Sequence, residues 1–137
     1  MKRTKMCVVF LSCLLCVSTL TGCLALLAGG AAGAGSVVYV KGQLRETMDS
    51  TVTAVHTASV ATLKELGLPV IEDKYDELSA KMKSRFADGQ DVWIDIEYVT
   101  VQSSRLTIRV GIVGDERKSR QILDGIHRHL SEGGRKT

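Results

Sequence analysis

Few side chains in this chain have both the type and the spacing for chemistry. Cys13-x-x-Cys16 has the spacing of a redox pair. Both thiols, however, lie inside an apolar run over residues 6–20, which is no setting for thiol exchange. His127 and His129 are two residues apart. On a helix they point away from each other, so they form no metal site. Gly111-Ile-Val-Gly114-Asp115 should join a strand to a helix N-terminus, where free N–H groups can hold an anion and Arg109 and Arg117 are near. Asp115 sits where that anion would sit, so the segment reads as a structural turn. Asp76 and Glu77 are adjacent and belong in a solvated turn. No serine or threonine joins a histidine and an acid in a nucleophile pattern. No catalytic residue, metal ligand or cofactor is therefore assigned. What remains is a binding candidate: Trp93, the single tryptophan, expected on an open sheet face among Lys83, Arg85, Arg105 and Arg109. Long basic stems can shield such a ring by contact and by cation–π attraction. The sharper expectation is a polar platform for a partner.

The thiol with the most telling surroundings is Cys23. Met1-Lys2-Arg3-Thr4-Lys5 supplies a basic start, residues 6–20 an apolar stretch, and small residues follow, which is the layout of a signal peptide. Leu20-Thr21-Gly22-Cys23 resembles the bacterial lipobox. The resemblance implies that residues 1–22 are removed as a signal peptide. Cys23 would then carry a diacylglyceryl thioether, become the mature N-terminus and be acylated on its amine. A thiolate is a strong nucleophile for that alkylation. Each buried methylene of the lipid contributes about 0.8 kcal/mol, so several chains hold firmly. Leu24 in place of aspartate favours the outer membrane in the Gram-negative sorting pattern. The alternative is an uncleaved N-terminal helix, because reading on to Leu27 extends the apolar run to about a bilayer's thickness.

Two counts change with this reading. All four cysteines, Cys7, Cys13, Cys16 and Cys23, lie in the first 23 residues, so the mature chain has no free thiol and no disulfide. Removing Lys2, Arg3 and Lys5 from 18 basic residues leaves 15 against 15 acidic ones. The basic balance belongs to the precursor and gives no argument for a nucleic-acid partner.

Residues 23–35 form a Gly/Ala-rich, membrane-proximal tether. Gly29 and Gly33 within it have the small-xxx-small spacing that lets helices approach in lipid. Residues 36–132 are long enough for one small domain, with residues 133–137 as a frayed polar tail. A first strand is expected over residues 36–44, interrupted by Gly42. A helix follows over about 47–66, from the three- and four-residue steps of Leu44, Met48, Val52, Val55, Ser59, Leu63 and Leu66. Gly67 and Pro69 stop it, and His56 lies beside its apolar stripe. Proline makes residues 69–74 an edge strand. Residues 78–86, 91–99 and 105–113 alternate with period two. Their inward sets are Leu78, Ala80, Met82, Ser84 and Phe86, then Val92, Ile94, Ile96 and Tyr98, then Leu106, Ile108, Val110 and Ile112. A three-residue Ala87-Asp88-Gly89 loop pairs Arg85 with Asp91, Lys83 with Trp93 and Lys81 with Asp95. A five-residue loop over 100–104 then places Asp95 beside Arg109. The last helix starts at an Asp115 N-cap and buries Ile122, Leu123, Ile126 and Leu130.

The order β-α-β-β-β-β-α defines a two-layer α+β sandwich, an antiparallel sheet of four or five strands with two helices on one face. Tyr39-Val40-Lys41-Gly42, Leu66-Gly67-Leu68, Ala87-Asp88-Gly89 and Ile108-Arg109-Val110-Gly111 with Gly114-Asp115 resemble the recurring residues of a family of short bacterial lipoproteins described as a domain of unknown function. That resemblance implies a cell-envelope location and no known activity. The expectation is a lipid-anchored binding or scaffolding protein. Its membrane contact is the lipid, and its partner is an envelope protein, peptidoglycan or an anionic lipid head group. An enzyme acting on an envelope component is the alternative.

Overall fold

A computed structural model describes residues 36–135. The signal peptide, the lipobox, Cys23, the tether and its two spaced glycines lie outside the described residues.

The chain opens with a hairpin of β1 (Val38–Val40) and β2 (Gln43–Met48), where a single interrupted strand was expected. Lys41 and Gly42 both have positive φ, 51° and 76°. That is the requirement of a two-residue hairpin turn that follows the natural strand twist. Gly42 thus reverses the chain instead of interrupting it. β2 buries Leu44, Glu46 and Met48 on one face, so Met48 belongs to a strand and not to the following helix. The helix α1 (Val52–Glu65) starts five residues later than its apolar spacing suggested. Leu44, Met48 and Val52 fit a four-residue step and also a strand followed by a helix. Thr51 decides where the helix begins: it is extended, and its Oγ1 accepts the Ala54 N–H at 3.2 Å.

Beyond Gly67 and Pro69 comes β3 (Val70–Tyr75), exposed along its length and, among the described residues, paired only with β4, as expected of an edge strand. β4 (Ser79–Arg85), β5 (Asp91–Thr100) and β6 (Ser103–Val110) complete a six-stranded antiparallel sheet in the order β1-β2-β6-β5-β4-β3. The Ala87-Asp88-Gly89 loop and its register are as read from sequence: Arg85 faces Asp91, Lys83 faces Trp93 and Lys81 faces Asp95. The next hairpin is tighter than expected. Thr100 pairs with Ser103 across Val101 and Gln102, and a bulge lies near Tyr98. The register therefore moves by two residues. Asp95 lies opposite Thr107, and Arg109 lies opposite Trp93. A shift of two preserves the face of every side chain, whereas a shift of one would have turned the strand inside out.

Three residues assigned to the inner face are in fact outside. β6 ends at Val110, and Gly111 turns the chain out, leaving Ile112 83% exposed. Leu78 precedes β4 and is 63% exposed. Tyr98, also assigned inward, is exposed beside the β5 bulge. The helix α2 (Glu116–Gly134) begins at Asp115, whose carboxylate accepts the Lys118 N–H at 3.1 Å, and continues to Gly134. Both helices cover the same face of the sheet. Val55, Leu63, Ile122 and Ile126 from the helices meet Leu44, Ile94, Ile96, Leu106, Ile108 and Val110 from the strands in one core. Among the described residues, no helix lies on the opposite face.

One close approach ties distant segments together. A Cβ built on Gly114 would lie 2.3 Å from Gly42 Cα and 2.6 Å from the Tyr39 hydroxyl. Gly114 also has φ +96°. Only glycine allows the β1–β2 turn and the β6–α2 loop to touch in this way. Two of the segments that carry the family resemblance, far apart in sequence, are one contact in the fold.

Candidate functional site

The open face is built by period two: β4 turns Lys81, Lys83 and Arg85 outward, β5 Asp91, Trp93 and Asp95, and β6 Arg105, Thr107 and Arg109. Cross-strand register places Lys83, Trp93 and Arg109 in one row, which continues to Gln43 of β2. Lys83 Nζ lies 5.8 Å and Arg109 Cζ 5.9 Å from the centre of the Trp93 ring. Both distances fall in the range of cation–π attraction.

Three of the four cations expected here, Lys83, Arg85 and Arg109, are brought together, and each also has an internal partner. Arg85 donates from Nε to Asp91 Oδ1 at 2.6 Å, and Lys83 Nζ lies 3.3 Å from Asp91 Oδ2. The hydrogen bond from Arg85, with help from Lys83, holds the Asp91 carboxyl below the usual carboxylate range. Arg109 donates from Nε to the Gly111 carbonyl at 3.3 Å and from Nη2 to the Ile112 carbonyl. Arg109 therefore fixes the β6–α2 loop while facing the indole. Arg105 sits further along the face, opposite Glu97, with 3.8 Å between its Nη1 and Glu97 Oε2.

Trp93 borders two openings. One is a shallow groove of about 280 Å³ lined by Gln43, Trp93, Asp95, Thr107, Arg109 and Ile112. The other is an open cleft of about 590 Å³ between the β4–β5 loop and the β6–α2 loop. Lys118 holds the walls of the cleft together. It pairs with Asp88, donates to Gln90 Oε1 at 3.0 Å and lies 4.7 Å from the centre of the Phe86 ring. Asp95 is the unusual acid of the groove. Burial pushes its carboxyl up, against the pull of Lys81, and neighbouring Glu97 adds to the rise. A carboxyl so placed is short of partners and suited to accept a hydrogen bond from a ligand's hydroxyl or amide.

Sequence reasoning found Trp93 and its cations and put Thr107 on their face by alternation, but it did not find Gln43. Gln43 arrives from β2, across the first hairpin, and carries no signal of its own. At the β6–α2 turn, Asp115 caps the helix and Arg109 is engaged with loop carbonyls, so the anion-holding groups have internal partners. The histidines act as clasps. His56 Nε2 lies 2.9 Å from Asp73 and its ring stacks on Tyr75 at 4.5 Å. His127 Nε2 lies 2.8 Å from Glu46, which is buried on the inner face of β2, and His129 Nε2 lies 2.8 Å from Glu65. His127 and His129 thus face different carboxylates. Among the described residues, no group of three or more histidine, cysteine or acidic side chains could hold a metal ion. No helix among them is long and apolar enough to cross a membrane.

A two-layer α+β domain with a polar outer sheet face and a flanked tryptophan is the class of protein that fold and site define. Residues 5–129 match the family described as "Protein of unknown function (DUF3568)", and the chain belongs to that family. No curated protein matches the chain.

Proposed function

We propose that this chain is a bacterial cell-envelope lipoprotein that acts as a binding or scaffolding module. Residues 1–22 are its signal peptide, Cys23 carries the lipid, and residues 23–35 tether the domain. The lipid holds it in the outer membrane, facing the periplasm. The reading of the N-terminus rests on the basic start, the apolar run and Leu20-Thr21-Gly22-Cys23.

One observation supports binding through the open face. Trp93 is flanked by Lys83 and Arg109 and edges a groove that also presents Asp95, Gln43 and Thr107. A flat aromatic surface ringed by hydrogen-bonding groups suits a partner with an apolar face and many hydroxyls or amides, such as the glycan or peptide of peptidoglycan or an envelope protein. Trp93→Ala should abolish co-sedimentation with purified peptidoglycan, or cross-linking to an envelope protein, and change the melting temperature little. A large loss of stability with unchanged capture would make Trp93 a shielded structural residue.

A further inference from the structure

The two ends of the sheet differ. One gathers the Lys41-Gly42 turn, the β4–β5 loop and the β6–α2 loop. At the other end lie the β3–β4 and β5–β6 turns, and from that side the chain enters β1, whose Val38 is level with Arg45 and Thr107. That second end shows large apolar side chains: Leu78 is 63% and Val101 77% exposed, with Tyr98 and Val99 exposed beside them. The Tyr98 N–H donates to the Leu78 carbonyl at 2.9 Å, so the two turns adjoin. Both turns are pinned. Asp76 accepts the N–H groups of Leu78 and Ser79, each at 2.8 Å, and the Thr100 and Ser103 hydroxyls are 2.7 Å apart. These side chains are held out in water by ordered turns and serve no core.

We infer that Leu78, Tyr98, Val99 and Val101 form a docking rim that seats in the interface of the lipid bilayer to which the chain is anchored. This rests on the proposed lipid at Cys23. The rim has the chemistry of interfacial insertion, with aliphatic tips and a tyrosine whose hydroxyl can stay wet. The direction in which the chain enters β1 selects this end. Residues 24–35 are twelve residues, with a reach of at most about 40 Å when fully extended. Ser36 enters β1 on the side of the rim, so the rim meets the membrane without the tether running along the domain. Ile112 and Val113 are also exposed, at 83% and 87%, but lie at the far end of the sheet. To seat them, the tether would have to turn back alongside β1 toward the Lys41-Gly42 turn. Tethering also raises the local concentration of bilayer to the millimolar range, so a shallow, weak insertion is well populated.

The test uses the full chain purified from membranes and reconstituted in phosphatidylcholine vesicles. Trp93→Phe removes the native fluorophore, and either Val101→Trp or Ile112→Trp supplies a new one at an exposed position. Vesicle flotation of the wild type and of Cys23→Ser is measured alongside. In brominated phosphatidylcholine, the Val101→Trp protein should lose fluorescence and emit further to the blue, and the Ile112→Trp protein should do neither. A floating chain with an unquenched Val101→Trp probe, or with equal quenching at both positions, overturns the docking rim and leaves the anchor standing. A wild type that floats no better than Cys23→Ser overturns the anchor, and the docking rim with it.

Discussion

Gly114→Ala is a severe test of how the β6–α2 loop is built. Gly114 has φ +96°, a region that an alanine occupies at a cost of about 1–3 kcal/mol. The new methyl would lie 2.3 Å from Gly42 Cα and 2.5 Å from the Gly42 carbonyl oxygen, both backbone atoms that cannot rotate aside. The loop must retreat from the β1–β2 turn. Arg109 would then lose its bonds to the Gly111 and Ile112 carbonyls, each worth about 1 kcal/mol. Together these effects should lower stability by roughly 3–5 kcal/mol, or by more than about 12 °C in melting temperature for a domain of this size. Urea unfolding followed by Trp93 fluorescence reads both consequences, because the indole loses the guanidinium beside it. Gly133→Ala is the control, since nothing lies within 4 Å of its Cβ position and the change should be neutral or slightly stabilising. A loss below about 1 kcal/mol for Gly114→Ala would refute the close approach of the two loops.

Other changes should separate the groups around the groove. Asp95 is pushed up by burial, so its charge opposes folding at neutral pH, and that penalty disappears as pH falls through its raised value towards 3.8. Asp95→Asn should therefore raise the melting temperature at pH 7, by less than about 1 kcal/mol in stability, and leave it unchanged near pH 3; a destabilised variant at pH 7 would contradict this. Asp91 behaves in the opposite way. Its carboxyl is held low by Arg85, so its contribution is present above 3.8 and is lost as pH falls below it. Asp91→Asn should flatten that acid limb of a thermal-melt series, and an unchanged limb would sink the claim. Lys118→Ala should cost about 1–2 kcal/mol and speed amide exchange in the β4–β5 loop, because Asp88 and Gln90 lose their shared donor. Unchanged exchange would mean that Lys118 does not hold the cleft walls.

The legible parts of the chain are those where local chemistry has one solution. Ala87-Asp88-Gly89 leaves one loop length that keeps β4 and β5 faces matched, and the Arg85–Asp91 pair follows from it. The first hairpin was hidden because Lys41, a non-glycine residue, takes positive φ. Apolar residues at 44, 48 and 52 also satisfy a helical step, and buried Glu46 carries no strand signal of its own. The polar run over 100–104 masked the tight Val101-Gln102 turn, which moved Arg109 from beside Asp95 to beside Trp93. Alternation alone was enough to put Trp93, Lys83, Arg85 and Arg109 on one face. The groove needed more: Gln43 comes from across the first hairpin, and the cleft wall comes from a loop whose course is set by the contact between Gly42 and Gly114.

The most direct measurement is the intact mass of the protein purified from the membranes of a Gram-negative host, beside Cys23→Ser. A mature chain that begins at Cys23, bears diacylglyceryl and acyl mass, and loses both in the variant is the predicted result. An unmodified chain that retains residues 1–22 would contradict the lipid anchor and make Gly22-Cys23 a coincidence within an N-terminal membrane helix.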